Sequence, residues 1–268
     1  MLLFDSFNRR INYLRISVTD KCNFRCLYCM PEKGVEYIPH EKILRHEEIF
    51  EFVKVAVNYG INKVRITGGE PLVRKGIIEL IKMLSQIKEI EDLSLTTNGY
   101  FLEEKAEELK KAGIKRINIS LDTLDPEKFK KLTRGGDLNK VLKGIFKAKE
   151  VGFNPIKLNV VYLNESSNKD IDQIKEFAQR NNFEIRIIKQ MLLKTGIFSK
   201  VIGGEGGNCN TCNRLRLTAE GNLMPCLFSD IKFNIRELGY EKALLLAVKH
   251  KPLSGKVNTT REFYNIGG

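Results

Sequence analysis

The chain has 268 residues, of which 42% are hydrophobic, so it is long enough to bury a sizeable core in one large domain or in one large and one small domain. It contains no run of about 18 apolar residues and no N-terminal secretion signal, so we expect a cytoplasmic protein without a membrane partner. Its formal net charge of +12 favours anionic partners such as nucleotides. Because aromatic residues are not interleaved with a basic stripe, we expect no nucleic-acid partner.

Strand-like and helix-like segments alternate over roughly the first 190 residues. Short apolar runs predict strands at 14–18, 63–67, 93–97, 116–121, 156–163 and 184–188. Apolar residues at helical spacing predict helices at 46–59, 76–90, 102–112, 126–132, 138–150 and 169–180. About six βα units in this order predict an α/β fold with a parallel sheet, either an open doubly wound sheet or a partial barrel.

Residues suited to binding or chemistry follow four of the predicted strands. A cysteine-rich loop, 22–29, follows the first strand, and Gly68-Gly69-Glu70 follows the second. Thr97-Asn98-Gly99 follows the third strand, and Asp122 follows the fourth. In both candidate folds the carboxyl ends of parallel strands meet at one edge, where ligands bind. We therefore expect one site along this edge.

The cysteines form two groups of three, namely Cys22, Cys26 and Cys29, and Cys209, Cys212 and Cys226. The tight grouping, the large core and the lack of a secretion signal argue against disulfides. Thiolates are soft ligands that suit zinc or iron–sulfur clusters. A structural zinc site needs four ligands, and the histidines nearest to the first group are His40 and His46. Three thiolates on one loop favour a [4Fe–4S] cluster with one open iron, and the alternatives are a zinc site completed from elsewhere or plain buried cysteines.

The C-terminal part of the chain differs from the βα region. Five glycines between residues 192 and 208 predict a flexible linker. Beyond it, Arg214 and Arg216 alternate with leucines, so the two arginines share one face of a predicted strand. A turn at 220–222 predicts a hairpin, and residues 235–249 have a helical pattern. We expect two regions, 1–191 and 192–268.

The first cysteine group, with Tyr28 directly before its last cysteine and with Gly68-Gly69-Glu70-Pro71, resembles the radical S-adenosylmethionine superfamily. The resemblance implies a partial (β/α)6 TIM-type barrel. It also implies that the open iron holds the amino and carboxylate groups of the methionine part of S-adenosylmethionine. An electron from the cluster then cleaves a carbon–sulfur bond and yields a 5′-deoxyadenosyl radical.

The second cysteine group narrows the resemblance to the GTP 3′,8-cyclase family, also called molybdenum cofactor biosynthesis protein A. The further matching segments are 14–20, 65–72, 96–99, 118–122, 213–217 and the terminal Gly267-Gly268. The resemblance covers about residues 5–191 and 208–268. It implies a small C-terminal cluster-binding domain, in which the open iron of a second [4Fe–4S] cluster binds the guanine of GTP. The radical takes hydrogen from C3′ of the ribose, and the C3′ radical attacks C8. The product is (8S)-3′,8-cyclo-7,8-dihydroguanosine 5′-triphosphate, formed in the first step of molybdenum cofactor biosynthesis.

The resemblance also implies roles for individual residues. The six cysteines match cluster ligands, and the S-adenosylmethionine contacts match Tyr28, Gly68, Gly69, Glu70, Ser120 and Met191. The GTP contacts match Arg15, Arg65, Thr96, Lys157, Arg214, Leu215 and Arg216, and a further basic candidate is Arg186. The catalytic residues implied are Arg15, Arg214, Arg216, Gly267 and Gly268. The basic strand residues could also be exterior charges on half-covered strands.

The cofactors implied are two [4Fe–4S] clusters and S-adenosylmethionine. The partners implied are GTP, a reductant such as a flavodoxin or ferredoxin, a downstream cyclic pyranopterin monophosphate synthase and a second copy in a homodimer. The stretch between Met191 and Cys209 is shorter than in most members of the family, and Ile188-Lys189-Gln190 replaces their acidic and aromatic approach to Met191. The competing hypotheses are a related radical enzyme with an auxiliary cluster that acts on a peptide, and an electron carrier or regulatory relative without turnover.

Overall fold

The structure, a computed structural model, describes residues 2–260 and 263–266, so the predicted catalytic residues Gly267 and Gly268 lie outside the described residues. The strands are β1 Tyr13–Ser17, β2 Lys63–Thr67, β3 Asp92–Thr97, β4 Arg116–Ser120, β5 Ile156–Tyr162, β6 Glu184–Lys189, β7 Arg214–Leu217, β8 Asn222–Met224 and β9 Phe233–Asn234. The helices are α1 His46–Asn58, α2 Ile77–Ser85, α3 Leu102–Lys111, α4 Pro126–Thr133, α5 Leu138–Glu150, α6 Asn168–Asn181, α7 Ile235–Leu238, α8 Tyr240–Lys249 and α9 Phe263–Ile266.

One nine-stranded sheet runs through the molecule in the order β6-β5-β4-β3-β2-β1-β7-β8-β9. The pairs from β6 to β7 are parallel, and β8 and β9 add an antiparallel end. Its two end strands, β6 and β9, are not paired with each other in the part of the chain that the structure describes. The predicted α/β fold with a partial (β/α)6 barrel is confirmed.

Local sequence signals explain where several helices begin. The carboxylate of Asp125 accepts a hydrogen bond of 2.9 Å from the Lys128 amide, and Pro126 occupies the first turn of α4. The carboxylate of Asp137 caps α5 in the same way, through the Asn139 amide. The predicted helix at 235–249 is instead two helices, because Gly239 adopts φ +80° between α7 and α8.

The glycine-rich stretch before the second cysteine group is not a free linker, so that prediction is wrong. Ile187 within β6 and Ile202 exchange two backbone hydrogen bonds of 3.0 Å. Gly203 and Gly207 have φ of +75° and +72°, and a Cβ at either position would overlap a backbone carbonyl oxygen. Gly203 allows close packing on Ile185 of β6, and Gly207 allows close packing on Ser199 within the stretch itself.

The core follows the sheet. The central strands β1 to β4 contribute fully buried apolar side chains such as Leu14, Ile66 and Leu95. A second, smaller cluster in the C-terminal part contains Leu193, Met224, Phe228 and Ile266. Within the described ranges, no helix is both long enough and apolar enough to cross a membrane.

Candidate active site

Both cysteine groups line one cavity of about 350 Å³ at the carboxyl ends of the parallel strands. None of the six cysteines, all of which the structure describes, forms a disulfide, and all are partly buried. The predicted residues that line the cavity are the six cysteines, Arg15, Tyr28, Gly68, Gly69, Thr96, Ser120, Met191, Arg214 and Arg216. Two cysteine groups separated by about 180 residues in sequence thus face a common space.

The first cysteine loop is fixed by the turn that follows β2. The Gly69 amide donates a hydrogen bond of 2.7 Å to the Thr19 carbonyl, and the Glu70 amide donates one of 2.8 Å to the Lys21 carbonyl. A Cβ on Gly69 would overlap the Lys21 carbonyl oxygen. Glycine at position 69 therefore allows two backbones to meet directly before Cys22.

Glu70 does not line the cavity. Its buried carboxylate accepts hydrogen bonds from the Leu72 amide at 3.0 Å, the Thr97 hydroxyl at 2.8 Å and the Asn98 amide at 2.7 Å. Burial raises the pKa of this carboxyl to about 7, although the hydrogen bonds lower it. The structure gives Glu70 the task of joining the turn after β2 to the end of β3, and direct cofactor contact stays a prediction.

Tyr28 connects the same loop to β4 and β5. Its hydroxyl donates a hydrogen bond of 2.6 Å to Asp122, whose other carboxylate oxygen accepts one of 2.8 Å from the Val161 amide. Burial raises the pKa of the Asp122 carboxyl. Asp122 was expected at this edge of the sheet without a role, and the structure makes it the anchor of Tyr28.

The two cysteine groups have different electrostatic surroundings. Burial raises the pKa of the Cys22 thiol to about 11, and the negative charge of Glu70 adds to this rise. Burial also raises the pKa of Cys212, but the charges of Lys251 and Arg214 outweigh it and lower this pKa to about 7. The second group therefore lies in a more cationic environment than the first.

Three arginines lie side by side across the central strands. Arg15 on β1 is in register with Arg65 on β2 and with Arg216 on β7. Side chains in register on neighbouring parallel strands share one face of the sheet. Burial lowers the pKa of Arg65 and of Arg216 to about 10 in each case. Burial and then the charge of Arg216 lower the pKa of Arg15. Three neighbouring like charges in a buried row are costly, and a bound anion would reduce this cost.

Four predicted GTP contacts do not line the cavity. Arg65 donates to the Ser94 hydroxyl at 3.2 Å, Arg186 donates to the Asn118 side-chain oxygen at 3.1 Å, and Lys157 forms an ion pair with Glu184. The Leu215 side chain is fully buried in the core. Contact between these residues and GTP stays a prediction.

Sequence reasoning missed several residues of the cavity wall. Asn159 on β5 lines the cavity, and its buried side-chain oxygen has no hydrogen-bond partner among the described residues, as is also the case for the Thr96 hydroxyl. The stacked rings of Phe198 and Phe228, with centroids 4.5 Å apart, form an apolar part of the wall. Alternation along β5 could have indicated Asn159, whereas the aromatic pair depends on a contact between distant loops.

The cysteine thiols are not grouped closely enough to hold a single metal ion, as judged from the described residues. The described residues contain no group of three His, Cys, Asp or Glu side chains close enough to hold a single metal ion. Each cysteine group instead places three thiols along the cavity wall. Such an arrangement fits the donor set of a [4Fe–4S] cluster, in which the thiolates bind different irons.

The family model of the radical SAM superfamily matches residues 16–178. A GTP 3′,8-cyclase of Listeria welshimeri is 41% identical over 302 residues, which cover 95% of this chain and 91% of that protein. A GTP 3′,8-cyclase of Peptoclostridium acidaminophilum is 40% identical over 320 residues, which cover 100% of this chain and 98% of that protein. One of Nautilia profundicola is 40% identical over 319 residues, with both chains covered to 100%. These alignments extend over 302 to 320 positions, whereas this chain has only 268 residues, so it is shorter than these relatives.

Solved structures show the same fold at low sequence identity. SuiB of Streptococcus suis, bound to S-adenosylmethionine, has a TM-score of 0.69 at 18% identity, with 92% of this chain and 66% of that chain covered. The anSMEcpe protein with bound AdoMet has a TM-score of 0.63 at 15% identity, with 88% of this chain and 82% of that chain covered. At these identities the likeness shows the fold alone.

Proposed function

This chain belongs to the GTP 3′,8-cyclase family of the radical SAM superfamily, and we propose that it cyclises GTP to (8S)-3′,8-cyclo-7,8-dihydroguanosine 5′-triphosphate. This reaction is the first step of molybdenum cofactor biosynthesis. Residues 1–191 would bind S-adenosylmethionine and the first cluster. Residues 192–268 would supply the second cluster, part of the GTP site and the catalytic Gly267 and Gly268.

The observation that carries this proposal is the pair of Arg15 and Arg216, in register on β1 and β7, which lines the same cavity as both cysteine groups. The row continues to Arg65, which does not line the cavity. A triphosphate is the kind of ligand that balances several neighbouring guanidinium groups, because each can donate two hydrogen bonds to phosphate oxygens. A neutral peptide has no comparable charge to offer. The row therefore favours GTP over the peptide hypothesis.

The residues that would hold the cofactors are separate from this row. Cys22, Cys26 and Cys29 would ligate the first cluster, and Cys209, Cys212 and Cys226 the second. When bound, the clusters and S-adenosylmethionine supply one-electron chemistry that no side chain of this protein can perform. Gly69, Ser120 and Met191 would contact S-adenosylmethionine from the cavity wall.

The task of the protein's own residues is placement. Arg15 and Arg216 would bind the phosphates at one end of GTP, so that the ribose and guanine would lie between the two cysteine groups. Holding two reactants in a productive orientation can contribute roughly 7–11 kcal/mol to lowering a barrier. The stacked Phe198 and Phe228 rings form an apolar part of the cavity wall and would help to exclude water from the cavity.

The proposal is tested by anaerobic reconstitution with iron and sulfide, followed by dithionite, S-adenosylmethionine and GTP. We expect 5′-deoxyadenosine and a cyclised nucleotide in equal amounts. Deoxyadenosine without conversion of GTP would contradict the proposal and would direct attention to a peptide substrate. Neither product in a chain that holds its iron would favour an electron carrier or a regulatory relative.

Family membership extends the proposal to partners. We infer a low-potential reductant such as a flavodoxin or ferredoxin, a cyclic pyranopterin monophosphate synthase that consumes the product, a homodimer and a cytoplasmic location. Replacing dithionite by each reductant tests the first of these. Sedimentation of the reconstituted protein tests the dimer, and a single monomeric species would contradict it.

A further inference from the structure

Two buried cations outside the cysteine motifs contact the segments that carry the second cysteine group. The Arg9 guanidinium donates hydrogen bonds to the Cys209 carbonyl at 2.7 Å, the Leu253 carbonyl at 2.9 Å and the Pro252 carbonyl at 2.7 Å. Its Nε donates to the Asp5 carboxylate at 2.6 Å. One planar side chain thus joins the N-terminal segment, the first cysteine of the group and the segment after α8.

Lys251 contacts the other two cysteine segments. Its Nζ donates hydrogen bonds to the Arg214 carbonyl at 2.7 Å and to the Pro225 carbonyl at 2.6 Å. Arg214 lies two residues after Cys212, and Pro225 lies directly before Cys226. Because Lys251 immediately precedes Pro252 and Leu253, the contacts of Arg9 and of Lys251 are made through one continuous segment.

The buried positive charge of Lys251 also indicates a role at the second cysteine group. Lys251 is only 3% exposed, and its charge interacts with the Cys212 and Cys226 side chains. A buried ammonium is costly unless it is paired with an anion. Three thiolates with a [4Fe–4S] cluster form such an anion, and charged neighbours of a cluster are known to affect its binding and its reduction potential. Neither Arg9 nor Lys251 lines the cavity, so both act on the ligands and not on GTP.

We propose that Asp5, Arg9 and Lys251 form a brace that holds Cys209, Cys212 and Cys226 at the spacing of the second cluster and offsets the negative charge of that cluster. The inference rests on the proposed function insofar as that function requires a second cluster. Arg9 sets the position of the Cys209 segment. Lys251 sets the distance between the Cys212 and Cys226 segments and supplies the charge.

The test compares the wild-type chain with Lys251→Met and Arg9→Lys after anaerobic reconstitution. Lys251→Met keeps the length of the side chain but removes the charge and both hydrogen bonds. Arg9→Lys keeps a charge but cannot reach three carbonyls and Asp5 together. Three quantities are measured for each variant. They are the iron and sulfide content per chain, the midpoint potential of the second cluster by spin-resonance titration, and the amount of 5′-deoxyadenosine formed without GTP.

We expect about eight irons in the wild-type chain and a decrease towards about four in Lys251→Met, since each three-cysteine group holds one [4Fe–4S] cluster. Any second cluster that remains should have a lower midpoint potential, because a neighbouring positive charge has been removed. Formation of 5′-deoxyadenosine without GTP should stay within about twofold, because the first cluster is untouched. Arg9→Lys should lose second-cluster iron as well.

The control is Lys128→Met, which removes a lysine paired with the buried Asp170 on the outside of the barrel. It should lower the melting temperature but keep about eight irons. If Lys251→Met does not fold, the iron content of Arg9→Lys decides the question. Wild-type iron content and an unchanged midpoint potential in the folded variants would overturn the brace. A wild-type chain with about eight irons that does not convert GTP would instead overturn the proposed function alone.

Discussion

At the scale of single residues, substitutions in the arginine row should distinguish the binding of GTP from the generation of the radical. Arg216 is 9% exposed, lines the cavity and lies beside Arg15. The first cysteine group follows β1 and the turn that holds it follows β2, whereas Arg216 is on β7. A change at Arg216 should therefore affect the use of GTP and leave cleavage of S-adenosylmethionine intact.

We predict that Arg216→Met lowers kcat/KM for GTP roughly 10- to 100-fold, because a hydrogen bond to a charged group contributes about 1.5–3 kcal/mol. Uncoupled formation of 5′-deoxyadenosine should remain. The control is Arg236→Met, which removes a surface arginine paired with Glu48. Equal kcat/KM values for Arg216→Met and the wild-type enzyme would show that Arg216 does not contact GTP.

Glu70 predicts a pH dependence of the stability of the apoprotein. Burial raises the pKa of this carboxyl from 4.5 to about 7, so the folded state binds the proton more tightly than the unfolded chain. The free energy of unfolding should therefore fall by about 3 kcal/mol as the pH rises from about 4.5 to about 7, with no further effect of Glu70 above that range. Urea unfolding at several pH values measures this slope.

Glu70→Gln should remove the slope between pH 4.5 and 7, because the amide does not titrate. Glu89→Gln, at an exposed position, should keep it. Parallel pH profiles for Glu70→Gln and the wild-type apoprotein would mean that Glu70 ionises normally in the folded state.

At the scale of elements, most of the strands and helices could be predicted because their apolar periodicity is local. β2 begins and ends at the predicted residues, and α5 does so as well. The break at Gly239 and the packed loop between Met191 and Cys209 could not be predicted. In both cases the glycine conformation depends on contacts or φ values that the sequence pattern does not specify.

The turn after β2 provides the prediction at this scale. Gly69→Ala places a Cβ against the Lys21 carbonyl and should displace the loop that carries Cys22. We expect a loss of stability of about 1–3 kcal/mol, as for other overpacked sites, together with loss of first-cluster iron and of S-adenosylmethionine cleavage.

The comparison is Gly152→Ala, where φ is +81° but a Cβ would meet no atom within 4 Å. This variant should cost about 1 kcal/mol through backbone strain alone and keep its iron. If Gly69→Ala binds the first cluster as well as Gly152→Ala does, close approach of the two backbones is not what positions the cysteines.

At the scale of the whole molecule, the parallel pairing of β1 with β7 brings the two cysteine groups to one cavity. The sequence could predict that functional residues gather at one edge of the sheet, because parallel strands place their carboxyl ends together. The sequence could not predict the contacts of Arg9 and Lys251 with the segments around the second cysteine group. These contacts are hydrogen bonds to backbone carbonyls, up to 244 residues away for Arg9, and such contacts leave no motif.

The central claim is that a radical formed at the first site abstracts hydrogen from GTP held against the second. Reconstituted protein is incubated with S-adenosylmethionine, dithionite and GTP that carries deuterium at C3′, and the mass of the 5′-deoxyadenosine is measured. We predict that most of the 5′-deoxyadenosine gains one deuterium and that the cyclised nucleotide forms in step with it. Unlabelled 5′-deoxyadenosine from a chain that holds both clusters would contradict this account.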